Sequence, residues 1–352
     1  MKLSGFTHDG VLELPAPTEA WKYSSLPKYL PDTLKAASPV ASKNAHIVLS
    51  GSTVVVHSLP AGVEHIAAPK KTGLDTWGQL PQMGASLHLK ITQDQTLEVL
   101  IAREGHALEA TLAFLSLEIA PSVKLKLIQR IQGSKAGVTS QRTEIKLSAD
   151  AKVDHAIILS EGSEALHVSQ FESHLAERSL LKQTFLVQGG QQIRLDVKAT
   201  LAGVEAHADL ASLTKLNGRS QVDVHSSLVH TAPHTTAKQL AKNLLDDESK
   251  AIFTGRVHIA QHAQKVAAEQ MSRSLLLSKK AHALSQPQLE IFADDVKCAH
   301  GSTTGQIGEE ASFYLLSRGI KPERVRHLLT DAFVQEVLQN SQWREVLTKE
   351  LL

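Results

Sequence analysis

The stretch from Pro287 to Ile320 decides the fold assignment, and it reads PQLEIFADDVKCAHGSTTGQIGEEASFYLLSRGI. Its first part has the alternating apolar residues of a short strand, among them Leu289 and Ile291. If this strand continues, Cys298 and His300 point to the same face, because side chains along a strand alternate with a period of two. After this pair the apolar spacing changes to that of a helix. The stretch therefore predicts a junction between a strand-rich body and a helical tail.

Cys298 and His300 together offer a thiolate and an imidazole, a donor pair that suits iron, zinc or an iron–sulfur species. Two ligands do not complete a metal site, so further ligands would have to come from elsewhere in the chain or from a partner. A lone cysteine at a strand end is also commonly a small core residue. The histidine could equally be structural and bonded to a nearby carbonyl. The residues alone leave both interpretations open.

The helical tail is predicted from Glu309 onward. A first helix runs to Ser317, Gly319 stands where a C′ glycine would, and Pro322 begins the next helix. That second helix carries one apolar stripe at helical spacing, formed by Val325, Leu328, Leu329, Ala332 and Phe333. Such a stripe either packs on the end of the body or docks a partner.

From about residue 45 to residue 300 the chain alternates between short aliphatic runs and turn residues, which predicts strand after strand. Thr235 to Leu245 is the main exception, since its leucines predict a short helix or turn, and Leu108 to Leu117 is ambiguous. Gly301 to Gly305 predicts a turn. The predicted strands are His46–Leu49, Thr53–His57, Ser86–Ile91, Leu97–Ala102, Val123–Ile128, Thr143–Leu147, Val153–Leu159, Thr184–Val187, Ile193–Ala199, Gln221–Val229, Ala251–Ile259 and Gln288–Ala293.

Similar polar–apolar units recur about every 25 to 35 residues, a period that β-helix coils can have. Examples are Ala151 to His155, Gly203 to His207 and Ser220 to His225. Many short strands without helices between them allow a sandwich, a barrel or a solenoid, and the repeats favour the solenoid only weakly. The predicted organisation is an N-terminal helical or extended segment (1–44), a strand-rich core (45–303) and a C-terminal helical domain (304–352).

Composition narrows the function classes. The 352 residues are 42% hydrophobic but only 4% aromatic, so the core must be built from aliphatic side chains. A net charge of +1 gives no electrostatic footprint for nucleic acid or an anionic membrane. The single cysteine excludes an internal disulfide framework and predicts a reducing, cytoplasmic location. No apolar run approaches the roughly 20 residues of a membrane span, and the first ten residues lack an apolar signal core.

Other sequence motifs give little support for a catalytic or metal site. No GxxxxGK[ST] sequence occurs, so ATP binding through a P-loop is excluded. His225, His230 and His234 are close in sequence, but on a strand the first two would face opposite sides, which argues against a metal site. The carboxylates that a β-helix lyase or glycosidase would need are scattered.

At the N-terminus Thr18 could cap a short helix carrying Trp21, which would fasten this segment to the body.

The decisive stretch is similar to a known family. An acidic pair at Asp294 leads to Cys298-Ala299-His300-Gly301, followed by Thr303 and Gly305, and three further blocks agree. In this motif and these blocks the chain resembles the SufB/SufD family of iron–sulfur cluster assembly proteins, and within it the SufD type. The three blocks are Ala251–Gly255, Gln270–Ser278 and Phe313–Ile320.

The resemblance implies a mainly β protein, a right-handed parallel β-helix flanked by short N-terminal and C-terminal helical segments. It implies a scaffold subunit and not an enzyme, which pairs with a SufB-like subunit and docks a SufC-like ATPase. The docking surface would be the tail stripe, with Val325, Leu328, Leu329 and Phe333. His300 would lie at the subunit interface beside Cys298, where iron or an iron–sulfur cluster binds transiently, with none held stably by the isolated chain.

Two alternatives accompany this interpretation. One is a SufB-like or self-associating β-helix scaffold that builds clusters without a different partner. The single cysteine argues against it, because a cluster normally takes about four thiolate ligands. The other is a purely structural solenoid. In every case the uncovered strand near Leu289 predicts that the isolated chain forms a homodimer through its edge.

Overall fold

The computed structural model describes residues 11–13, 33–36, 47–50, 53–56, 59–67, 81, 84–103, 109–133, 136–339 and 341–351. Three helices lie at the C-terminal end of this part of the chain: α1 (Glu309–Ser317), α2 (Pro322–Gln339) and α3 (Arg344–Leu351). The remaining secondary-structure elements of the described residues are β-strands. The strands are β1 (Val11–Glu13), β2 (Thr33–Ala36), β3 (Ile47–Ser50), β4 (Thr53–Val56), β5 (Val63–His65), β6 (Ala85–Ile91), β7 (Gln95–Arg103), β8 (Glu109–Ile119), β9 (Lys124–Gly133), β10 (Ala136–Leu147), β11 (Lys152–Glu161), β12 (Glu164–Leu175), β13 (Leu180–Gly189), β14 (Gln192–Leu201), β15 (His207–Leu216), β16 (Gln221–His230), β17 (Thr236–Leu245), β18 (Lys250–Ile259), β19 (Val266–Leu276), β20 (His282–Ile291) and β21 (Val296–Gln306).

The strands form two sheets that the chain visits in turn. From β8 onward the even-numbered strands pair with one another in one sheet, and from β7 onward the odd-numbered strands pair in the other, all in parallel. Paired residues lie 28 positions apart at Lys124 and Lys152 and 31 apart at Thr236 and Ala267. This is a parallel β-solenoid of about seven turns, so the predicted fold class is confirmed.

One corner of the solenoid explains why the sequence repeats. Each of the six passages from β8–β9 to β18–β19 contains one non-glycine residue at a φ of 52° to 61°, a left-handed conformation that costs free energy for any side chain. The backbone N–H of each such residue donates to a carbonyl of the following coil, as from Asp150 to Glu177 at 2.9 Å. These bonds form a ladder along the corner and offset the strain. The residues are Ser122, Asp150, Arg178, Glu205, His234 and Lys265.

The space between the sheets is filled mainly by aliphatic side chains, as the low aromatic content requires. Residues on the inner faces alternate with outer ones, so that each inner position stacks on its counterpart in the neighbouring coil. Phe171 and Phe185 are a rare aromatic pair, buried edge to face with ring centroids 5.0 Å apart. A single hydrophobic cluster therefore extends from Ile47 in the first coils to Ala293 at the far end.

The prediction of a helix or turn over Thr235 to Leu245 is wrong, because Thr236–Leu245 form β17. Their sequence is rich in good helix formers such as Ala, Leu and Lys, but the segment lies between β15 and β19 and completes the hydrogen bonds of both. Tertiary pairing therefore overrides local propensity. The ambiguous segment Leu108 to Leu117 falls largely in β8. The turn predicted from Gly301 to Gly305 is also wrong, since β21 continues through it to Gln306.

The tail matches its prediction closely at the level of secondary structure. Helix α1 spans the predicted residues, Gly319 follows it at a φ of 80°, and Pro322 begins α2.

The helix predicted around Trp21 lies outside the described residues. Among those that are described, no helix is both long and apolar enough to cross a membrane.

Candidate functional site

The last coil of the solenoid ends in two open strand edges. Among the described residues, β20 pairs only with β18 and β21 only with β19. Each therefore presents a row of backbone donors and acceptors on its far side. Strand β20 contains Pro287, which lacks an N–H, whereas the eleven residues of β21 include no proline. The edge of β21 is thus the better of the two for pairing with another strand.

Large apolar side chains are exposed at this end of the molecule. Phe292 is 61% exposed, Leu284 53% and Ile291 38%. The Phe292 ring contacts the imidazole of His258, with centroids 5.5 Å apart. A strand edge that combines free backbone groups with exposed apolar residues has the character of an interface.

Cys298 lies on β21 and faces the interior. Its side chain is half-buried and packs against the main hydrophobic cluster. Burial raises the pKa of the Cys298 thiol, and a hydrogen bond with the backbone of Ala268 offsets this in part. The thiol is therefore neutral near pH 7, and a metal would have to displace its proton in order to bind it.

His300 lies two residues further along β21, so alternation puts it on the same inner face as Cys298. It is nevertheless exposed, because no coil follows it in the described structure. The register pairs it with Gln270 on β19, which in turn pairs with Gln239 on β17. His300 thus ends an interior column of polar side chains at the open mouth of the solenoid.

The two donors do not make a complete metal site by themselves. Within the described part of the chain, no three residues among His, Cys, Asp and Glu come together as a group that could hold a metal ion. Cys298 and His300 can supply one sulfur and one nitrogen ligand. Any further ligands would come from a molecule that covers the open end.

The predicted docking stripe on α2 is divided between the solenoid and the surface. Val325 is buried, Phe333 packs against a second apolar cluster, and Leu328 and Leu329 are half-buried. That cluster joins the buried face of α2 to the outer face of the odd-strand sheet, through residues such as Val337.

Charged contacts also fix α2 to the solenoid. Lys242 donates to the carbonyl of Phe333 at 2.6 Å, and Arg273 forms an ion pair with Glu336 at 2.7 Å. Part of the stripe therefore packs on the body, while docking through the remainder stays a prediction.

Helix α1 carries the most exposed apolar residues of the tail. None of its residues is buried, and Phe313 is 74% exposed, Tyr314 57% and Leu316 42%. In the sequence these residues belong to a family block but not to the predicted docking surface. Helix α1 follows β21, and among the described elements its contacts are mainly with α2.

Comparison with known proteins decides the family. The family model described as "SUF system FeS cluster assembly, SufBD core domain" matches residues 104–333. The chain belongs to the SufBD family. The match begins just after β7 and ends within α2, so it includes both open edges, Cys298, His300 and the whole tail stripe.

Similar curated proteins agree with this SufBD assignment. An iron–sulfur cluster assembly SufBD family protein of Synechocystis is 34% identical over 196 residues, which are 56% of this chain and 43% of that protein. The iron–sulfur cluster assembly protein SufD of Escherichia coli is 32% identical over 201 residues, 57% of this chain and 48% of the other. The chloroplastic protein ABCI7 of Arabidopsis is 29% identical over 209 residues, 59% and 44% of the two chains. The chain thus matches somewhat less than half the length of these relatives.

Proposed function

We propose that this chain is a SufD-like scaffold subunit of an iron–sulfur cluster assembly complex, which pairs with a SufB-like subunit and docks a SufC-like ATPase. The observation that carries the proposal is the open last coil, where two strand edges, exposed apolar residues and the Cys298–His300 pair coincide. The chain itself is not an enzyme in this account, since ATP hydrolysis belongs to the docked ATPase. Its single cysteine fits a reducing compartment such as the cytoplasm.

Pairing would occur by strand addition. A SufB-like β-helix adds its last coil to β21 and β20, so that main-chain hydrogen bonds give affinity and the exposed side chains give specificity. This contact covers Phe292 and Leu284 and brings His300 from an exposed position into the interface. The partner would then supply the thiolates that one cysteine cannot. Iron or a cluster is the cargo of this site and is bound only transiently.

Placing a charge on the open edge is expected to break this pairing. Phe292→Asp puts a carboxylate into an apolar contact, and we expect recovery of the SufB-like subunit in pull-downs from the native cell to fall at least tenfold. Recovery of the ATPase should be unchanged, because it docks elsewhere. Phe313→Asp on α1 is the matched control: it should lower recovery of the ATPase and leave recovery of the SufB-like subunit unchanged. Unchanged recovery of the SufB-like subunit with Phe292→Asp would count against the edge as the interface.

The same variant tests self-association. The isolated wild-type chain is expected to form a homodimer through its open edge at high concentration, and Phe292→Asp is expected to be monomeric, as measured by light scattering. If the native cell yields only this homodimer and no SufB-like subunit, the self-associating scaffold is the correct alternative. A wild-type chain that remains monomeric would contradict the edge assignment itself.

The ATPase is proposed to dock on a surface formed by Phe313, Tyr314 and Leu316 of α1 together with Leu328 and Leu329 of α2. Val325 and Phe333 would support this surface from below.

Leu329→Asp is expected to weaken ATPase binding at least tenfold, since it puts a charge into an apolar contact. Titration calorimetry with the purified ATPase measures this. His327→Asp, at an exposed position of the same helix, is the control and should bind normally. Equal affinities for wild type and Leu329→Asp, with the fold intact, would exclude this surface.

A further inference from the structure

The polar column that ends at His300 has an unfilled hydrogen-bond acceptor next to the histidine. Nε2 of Gln270 donates to Oε1 of Gln239 at 2.9 Å, and Gln239 donates in turn to Ser226 on the facing sheet. Gln270 is completely buried. Its own Oε1 is buried as well and has no hydrogen-bond partner among the described residues.

The facing sheet holds the Gln270 amide in place. Gly255 on β18 lies opposite, and a Cβ at that position would come within 2.4 Å of Nε2 of Gln270. The glycine therefore makes the space in which this amide lies. Because Nε2 is engaged with Gln239 on one side of the column, Oε1 is left for the neighbour on the other side. By register that neighbour is His300.

We propose that Gln270 is the positioning residue of His300, and that the imidazole N–H donates to Oε1 of Gln270. Neighbouring strands are about 4.8 Å apart, and an exposed ring can rotate to bring its N–H within about 2.9 Å of this oxygen. A buried acceptor without a donor is unfavourable, which drives the ring inward. The bond fixes one tautomer of the neutral imidazole.

This arrangement adds a positioning residue to the proposed site. Its last step, the presentation of His300 to iron, rests on the proposed function. With one ring nitrogen protonated and held by Gln270, the other keeps its lone pair and faces the open end. A histidine that binds a metal commonly donates its second ring N–H to such an oxygen, which orients the ring and makes the ligand more basic. Gln270 would therefore present His300 to iron at the interface without touching the iron.

The proposal is tested by measuring which tautomer of His300 predominates in the isolated chain. Histidine is labelled with ¹⁵N, and the His300 signals are assigned by their loss in His300→Asn. The ¹⁵N shifts are read in an alkaline buffer, in which the tautomers of the neutral imidazole are compared. We expect one tautomer to predominate in the wild type. In Gln270→Leu the tautomer ratio should move about tenfold toward that of His282, an exposed histidine on β20, which corresponds to about 1.4 kcal/mol.

Two further variants separate positioning from general damage. Gln270→Glu keeps an oxygen acceptor beside His300 and should retain the wild-type tautomer. Gln183→Leu makes the same substitution in the same column on β13, which is separated from β21 by three strands, and should leave His300 unchanged. The proposal is overturned if wild type and Gln270→Leu have the same tautomer ratio, or if Gln183→Leu changes it as much.

The two proposals fail separately. If His300 proves dispensable for cluster maturation in cells, the proposed function of the site is wrong, but a tautomer set by Gln270 still stands. If the tautomer does not depend on Gln270, the positioning role is wrong, and the role of His300 is unaffected.

Discussion

His300→Ala is expected to abolish iron–sulfur cluster maturation in cells that depend on this pathway alone, while leaving the protein folded and its complex assembled. The side chain is exposed at the end of the solenoid and makes only the proposed hydrogen bond to Gln270, so its loss should lower the free energy of unfolding by no more than about 1.5 kcal/mol. An imidazole at the interface can bind iron or transfer a proton near neutral pH, and alanine can do neither. Activity of cluster-dependent enzymes measures the effect.

The matched control is His282→Ala, which removes an exposed histidine from β20, the other edge strand. It should support normal maturation. Cys298→Ala should be milder than His300→Ala, because the partner supplies the main thiolates and burial keeps the Cys298 thiol neutral. If His300→Ala lowers stability by several kcal/mol or releases the partner, the histidine is structural and the assignment of chemistry to it is wrong.

Arg103→Met is expected to destabilise the solenoid by about 3 to 5 kcal/mol, the usual effect of leaving a buried charge without its partner. The guanidinium of Arg103 lies 3.0 Å from the carboxylate of Glu161, and both side chains are fully buried. The same carboxylate bonds His167 at 2.8 Å, and His167 contacts Ser169. No solvent reaches this network, so its role is structural despite its likeness to a catalytic triad. Denaturant unfolding measures the loss.

The control for this prediction is Arg178→Met, which removes an exposed arginine paired with Asp150 and should change stability little. The pH dependence has a definite sign. Burial raises the pKa of Glu161. The hydrogen bond from His167 and the charge of Arg103 lower this pKa by more than burial raises it, so it lies below its ordinary value of about 4.5. The pair's contribution is therefore complete above pH 4.5 and is lost as the pH falls through the lowered pKa.

If wild type and Arg103→Met unfold at the same denaturant concentration at neutral pH, the ion pair contributes nothing and this prediction is wrong.

The repeats in the sequence predict the solenoid only weakly. The unit Gly203 to His207 contains the left-handed corner residue Glu205, whereas the similar unit Ser220 to His225 lies at the start of β16 and has none, so the repeat follows the corners only in part. Strands such as His207 to Leu216 were not predicted, because Ala, Asp and Ser give them low β-propensity. They are strands because the coils on either side supply hydrogen-bond partners, and no local pattern records that.

The candidate site was predictable only in part for a related reason. Alternation puts Cys298 and His300 on one face, but their unequal burial depends on where the last coil ends. Gln270 belongs to one of the family blocks, but the sequence gives it no role. It is a neighbour of His300 only because β19 and β21 pair with residues 30 positions apart side by side. On the tail, helical spacing identified the stripe of α2 but not which part of it packs on the solenoid.

The most direct test of the central claim is photocrosslinking from position 292 in the native cell. Benzoylphenylalanine replaces Phe292 with little change in character, and the same residue placed at position 313 probes the tail. Position 292 is expected to crosslink to a SufB-like subunit, and position 313 to a SufC-like ATPase. Crosslinks from position 292 to the ATPase, or to no SufB-like protein while the complex is intact, would contradict the central claim.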